Sequence, residues 1–220
     1  MGSLLDRVIE SSGNINEALG VLSTFPTESK LTSSSVGDFG SIIGTRAYVY
    51  LLARDFDAAR KVWDKVEPDE QRRQLCAQLT IDFLRGDGAA AKNGAEKAEP
   101  LLQQRLREVP DDILAMTELS WVNLALGDHA EAIKIARRAA ETLPPERDAL
   151  FGPVTLHGLA QIQARTGAGS EAIAALRHLL SIPAGGVLSV TALKNDPVWD
   201  PIRNDPAFQQ LLTLKEHVGP

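Results

Sequence analysis

The sequence predicts an all-α chain in which about five helical hairpins stack into an α-solenoid, closed by a short C-terminal helical lid. Three observations predict it. The chain of 220 residues is 44% hydrophobic but only 5% aromatic, and its abundance of Ala and Leu favours helices, because small and unbranched side chains lose little freedom there. One apolar pattern recurs along it, marked by alanines 18, 59, 132 and 172, which lie 41, 73 and 40 residues apart. The stretch NDPVWDPIRNDPAF (195–208) carries three Asp-Pro pairs. An Asp that caps free N–H groups, followed by a Pro already at a helical φ, is a preferred helix start.

In chain order, the first unit covers 1–26, where Gly13, Ala18, Leu22 and Phe25 fit the frame. The Ser/Thr-rich piece at 27–38 reads as a linker or an inter-repeat loop, with Ser35 and Asp38 able to cap the next helix. The second unit covers 39–68, with Ala59, Trp63 and Val66 in frame. The third, at 71–110, fills the long gap between Ala59 and Ala132 and has a lengthened second helix. The fourth (112–144) and fifth (150–183) superpose Gly127-Asp128 on Gly167-Ala168, Ala132 on Ala172, Ala136 on Leu176 and Ala139 on Leu179. Each unit reads as two amphipathic helices joined by a Gly or polar turn. One hairpin cannot bury its own apolar face, so neighbours stack. The lid at 187–214 reads as two or three short helices bearing Trp199, Ile202, Phe208 and Leu211, which cover the apolar face of the last unit.

These residues resemble the tetratricopeptide repeat, whose pattern runs W-x2-L-G-x2-Y…A-x3-F…P over about 34 residues. The fourth unit offers Met116, Leu119, Ser120, Asn123, Ala132, Ala136, Ala139 and Pro144; the fifth offers Leu156, Leu159, Ala160, Gln163, Ala172, Leu176, Leu179 and Pro183. Units here run near 40 residues, with the extra length in links such as PPERDALFGPV (144–154). That link, the unit before it and the Asp-Pro segment together resemble the C-terminal helical-repeat modules of bacterial multidomain signalling proteins: serine/threonine kinases, adenylyl cyclases and winged-helix regulators. The resemblance implies a right-handed superhelix whose first helices line a concave groove. Carried over, that groove holds Tyr48, Thr117, Trp121, His157, Gln161 and Arg165.

The chemistry of enzymes is largely missing from the pattern. Asp38-Phe39-Gly40 spells the kinase metal-binding tripeptide, but no HRD loop, VAIK lysine or Gly-rich loop accompanies it. The four histidines, His129, His157, His178 and His217, show no metal-ligand spacing, and the single cysteine, Cys76, sits inside an apolar helical pattern as a core residue. No catalytic residue, metal or cofactor is therefore expected. The Arg pairs 72–73 and 137–138 read as solvated faces. A net charge of −6 is the wrong sign for gripping phosphate backbones. The N-terminus lacks a basic region followed by a long apolar one, and no apolar run reaches bilayer length, so a cytoplasmic protein with no membrane partner is expected.

These readings make the chain a non-catalytic interaction or regulatory module for a protein or peptide partner, or for other domains of a longer chain. The first helix begins almost at residue 1, so the chain is expected to be the C-terminal part of a larger signalling protein. The alternatives are a homo-oligomerising scaffold, in which an uncapped first unit makes a homodimer, and a small-molecule-sensing domain.

Overall fold

A computed structural model of the chain describes residues 14–24, 42–65, 71–182 and 188–214. Phe25, the Ser/Thr-rich piece at 27–38, Asp38-Phe39-Gly40, Val66, Pro183 and His217 lie outside the described residues. Within them the secondary structure is helical, with no strand. We number the helices α1 (Ile15–Ser23), α2 (Ile42–Leu52), α3 (Phe56–Val62), α4 (Gln71–Arg85), α5 (Gly88–Glu108), α6 (Ile113–Leu126), α7 (His129–Thr142), α8 (Gly152–Arg165), α9 (Gly169–Ser181), α10 (Val190–Asn195) and α11 (Pro206–Leu211). Short 3-10 helices follow α3 (Trp63–Lys65) and link α10 to α11 (Pro197–Ile202).

The helices pair through tight turns: α2 with α3, α4 with α5, α6 with α7 and α8 with α9. The sequence dictates these turns locally. Gly86, Gly127 and Gly167 take φ values of +92, +88 and +88, a left-handed conformation that costs glycine nothing. The following Asp87 and Asp128 cap the next helix, accepting from the N–H of Ala90 and of Glu131. Asp55 caps α3 in the same way through Ala58, but the turn residue before it is Arg54, at φ +61. The frame alanines 18, 59, 132 and 172 are fully buried, and so is Ala91, the equivalent position of the third unit, five residues after Gly86. With no side chain beyond Cβ, each lets two helices approach closely. The expected lengthening of the third unit is present: α5 has 21 residues against 14 in α7 and 13 in α9.

Beyond pairing, α4 packs on α6 and α6 on α8, so alternate helices form a continuous inner layer. The buried apolar residues fall into two clusters. The larger runs from α4 to α11 and includes Leu79, Leu102, Trp121, Ile162, Leu176, Trp199 and Phe208. The smaller joins α1 to α2 through Ala18, Leu22, Val49 and Leu52. The link from α7 to α8 is tightly built. Asp148 accepts from the N–H groups of Leu150 and Phe151, and a Cβ on Gly152 would stand 2.5 Å from the carbonyl of Pro144 and the nitrogen of Pro145.

The Asp-Pro segment corrects one expectation. Asp196 and Asp205 each start a helix, accepting from the N–H of Val198 and of Ala207. Asp200-Pro201 does not; it lies inside the single 3-10 helix Pro197–Ile202. Its carboxylate is engaged instead by two arginines, the distant Arg54 and the neighbouring Arg203. The segment lies across both helices of the last unit: the 3-10 turn packs on α8 and α11 on α9, and Trp199, Phe208 and Leu211 are fully buried.

Candidate functional site

The inner layer carries two adjoining features. The first is a recess of about 330 Å³ between α2, α4 and α6, walled by Tyr48, Leu51, Trp63, Cys76, Ala77, Thr80, Leu114, Thr117, Glu118 and Trp121, among others. Its walls draw on both apolar clusters, Cys76 and Trp121 from the larger and Tyr48 from beside the smaller. Gly44 and Ala47 on α2 face Ala77 on α4, and these small side chains leave space that large ones would fill. The hydroxyls of Thr80 and Thr117 donate back to the carbonyls of Cys76 (2.9 Å) and Ile113 (2.8 Å). Glu118 is paired with Arg72. Burial pushes the Cys76 thiol up to about 12, so it is a neutral apolar group and no nucleophile. The walls therefore present mostly aromatic and alkyl surface.

The second feature is the Asp-Pro segment itself, seated on the inner layer. The ring of His157 lies 5.6 Å from that of Trp199, which in turn packs 6.5 Å from Phe208. Enclosure disfavours the imidazolium and lowers His157 to about 4. Burial raises Asp196 to about 6, although hydrogen bonds from the N–H of Val198 and from Tyr48, together with the charges of Arg165 and Arg203, pull the other way. Asp200 receives both arms of Arg54, at 2.5 and 2.7 Å, and the Nε of Arg203 at 3.0 Å. Burial alone would raise Asp200, but the two guanidiniums outweigh it and hold the carboxyl below its ordinary range. Arg203 also donates to the carbonyls of Leu193, Lys194 and Asp196, fastening the segment to the end of α10.

Of the six residues expected in the groove, Tyr48, Thr117 and Trp121 meet in the recess. Tyr48, His157 and Arg165 face the Asp-Pro segment. Gln161 lies partly exposed on α8, away from both sets of contacts described. Trp121 is also a core residue, 7% exposed and edge-on to Phe83 at 6.1 Å. Arg165 places its guanidinium 5.5 Å over Phe83, and its buried Nε has no hydrogen-bond partner in the described structure. Burial lowers its pKa, against the attraction of Asp200 and Asp196. The Arg72–Arg73 pair is not a solvated face: Arg72 bonds Glu118 and Arg73 lines the recess, because both sit on the inward side of α4. Arg137 and Arg138 are exposed, Arg138 donating to the carbonyl of Pro110 at 2.8 Å.

Sequence reasoning passed over Arg54, Asp196 and Asp200 as a group. A signal existed for Arg54: it stands before an Asp where two of the other turns read Gly-Asp. Among the described residues no group of three or more His, Cys, Asp or Glu is placed to hold a metal ion, and no helix is long and apolar enough to cross a membrane. The sequence matches no protein-family model and no curated protein.

Proposed function

We propose that the chain is a non-catalytic interaction module, a right-handed α-solenoid of about five tetratricopeptide-like hairpins, serving as the regulatory or docking part of a larger signalling protein. The observation that supports this reading is the recess on the inner layer, where Tyr48, Thr117 and Trp121 come together with Trp63 around about 330 Å³. A partner segment would insert an apolar side chain there, and removal of that surface from water drives the association. The Asp-Pro segment supports it as well: the same layer already holds an acidic, aromatic stretch of chain.

The test is a filling substitution. Ala77→Phe places a ring in the recess, and partner proteins retained from native lysate are compared between this variant and the wild type at matched helicity. A protein held by the wild type and lost by the variant, then bound again when purified, supports the reading. Retention that ignores the substitution sinks it.

A further inference from the structure

The turn at Arg54 breaks a rule that the other turns keep. At the equivalent position Gly86, Gly127 and Gly167 adopt φ near +90, and among the described residues Arg54 is the only non-glycine with positive φ. A Cβ in this conformation crowds the following carbonyl, and arginine has no short polar group to relieve it. Backbone strain of this kind persists only where the surroundings enforce it. Here the return is visible: the guanidinium makes a two-armed bond to Asp200, across 146 residues of sequence. Two residues are thus fastened in parallel, Arg54 to Asp200 and Tyr48 to Asp196.

The position of the fastening matters because of what α2 lacks. No residue of α2 or α3 belongs to the main apolar cluster, and α2 packs chiefly on α1 and α3. The pair is tied to α4 through the far side, where Arg60 meets Asp82 at 3.1 Å, Arg85 meets Asp57 at 2.7 Å and Gln74 bonds the carbonyl of Trp63. Those ties hold α3. Helix α2 supplies Gly44, Ala47, Tyr48 and Leu51 to the recess, and at its C-terminal end Tyr48 and the turn residue Arg54 reach the Asp-Pro segment. Tyr48 serves in both, as a wall of the recess and a donor to Asp196.

We propose that Arg54 and Tyr48 form a latch with Asp200 and Asp196 that positions α2 as the movable wall of the recess, so that occupancy of the recess and closure of the latch favour one another. The proposal deepens the interaction reading above and rests on the recess being the binding site. An occupant that touches α2 stabilises the closed latch, and whatever draws Asp200 or Asp196 away loosens the occupant, since coupling between two sites is reciprocal.

Two measurements on the full chain separate this proposal from the reading beneath it. Amide hydrogen exchange is followed across residues 45–52 in the wild type, Arg54→Gly, Asp200→Ala and the double variant. A merely structural turn predicts that Arg54→Gly, which removes the strain, slows exchange there or leaves it unchanged. The latch predicts exchange about fivefold faster in either single variant, no further acceleration in the double, and no change in α6 and α7. Binding of N-phenyl-1-naphthylamine, an uncharged two-ring fluorescent probe, is then titrated, with Ala77→Phe as the blocked control. Saturable binding lost in Ala77→Phe and weakened about fivefold in Arg54→Gly and Asp200→Ala supports the coupling. Unchanged exchange in 45–52 overturns the latch whatever the probe does. Faster exchange with unchanged probe affinity leaves a simple fastening and also overturns it. No saturable binding by the wild type removes the recess as a binding site, and with it the interaction reading, while the exchange data still report whether the latch exists.

Discussion

Helices α2 and α3 and helices α6 and α7 share one plan, two helices, a left-handed turn residue and an Asp cap, yet they are held in opposite ways. The α6–α7 pair lies within the main apolar cluster, contributing Trp121, Val122, Leu124, Ala132 and Ala136 to it. The α2–α3 pair contributes no residue to that cluster; α2 shares a small one with α1, and ion pairs tie the pair to α4 and to the Asp-Pro segment. Apolar burial is non-directional and hard to undo locally, whereas ion pairs at half-exposed positions are directional and easily exchanged with water. The same architectural unit is thus a fixed strut in one place and an adjustable wall in the other.

The largest effect should come from the apolar side of this contrast. Trp199→Ala removes a fully buried indole from the main cluster and should lower stability by about 3–5 kcal/mol, seen as a lower urea midpoint for α4 through α11 together. A loss confined to the terminal segment would mean that this segment is an appendage and not part of the core. Next is Asp82→Ala, which takes away the buried carboxylate on α4 that Arg60 of α3 reaches. About 1–3 kcal/mol should be lost, and the loss should register in the exchange of α3 before that of α6. Uniform destabilisation would erase the distinction between the two pairs. The turn residues sharpen it further. Gly127→Ala puts a Cβ at φ +88 and should cost about 1 kcal/mol, while Arg54→Gly, by relieving the same strain, should leave the thermal midpoint unchanged or higher even as α2 loosens. A drop in the midpoint for Arg54→Gly comparable to that for Gly127→Ala would show that the turn at 54 carries no strain.

The smallest expected effect concerns pH, and its sign follows from two groups that oppose each other. His157 is held near 4 in the fold, against about 6.5 when exposed, so the unfolded chain takes up that proton first and stability falls as pH drops from 6.5 to 4. Asp196 is held near 6, against about 3.9, so the folded chain takes up its proton first and stability rises as pH drops from 6 to 4. The wild type should show a flat profile over that window. His157→Gln should gain stability toward pH 4 relative to pH 6.5, and Asp196→Asn should lose it, each by about 2–3 kcal/mol, so that only their opposition keeps the wild-type change small. Parallel profiles for all three proteins would refute the enclosure of both groups.

The fold was legible where its causes are local. Asp-capped helices, left-handed glycine turns and buried frame alanines are written within a few residues of where they act, and the long α5 showed in the 73-residue gap between Ala59 and Ala132. Ala91 escaped because its turn comes early, only 32 residues after Ala59, where a spacing near 40 had been set by the others. The site was half legible. Tyr48, Thr117 and Trp121 were named through the tetratricopeptide resemblance, whose frame assigns one side of each first helix to the groove. The recess they line was not, because it is made by what is missing at Gly44, Ala47 and Ala77. Arg54 and Asp200 could not be paired from sequence, since no local pattern joins residues 146 apart.

Gly152 carries a consequence for ancestry. A methyl group there would lie 2.5 Å from two backbone atoms of Pro144 and one of Pro145, so no side chain can be fitted without rebuilding the link. Surface residues around it are free to drift, and even the core can be exchanged in compensating steps, but this site offers no intermediate. Descendants of a common ancestor that keep this crossing should therefore keep a glycine seven residues after the second proline of a Pro-Pro pair, a fingerprint by which distant kin could be picked out after the rest of the sequence has diverged.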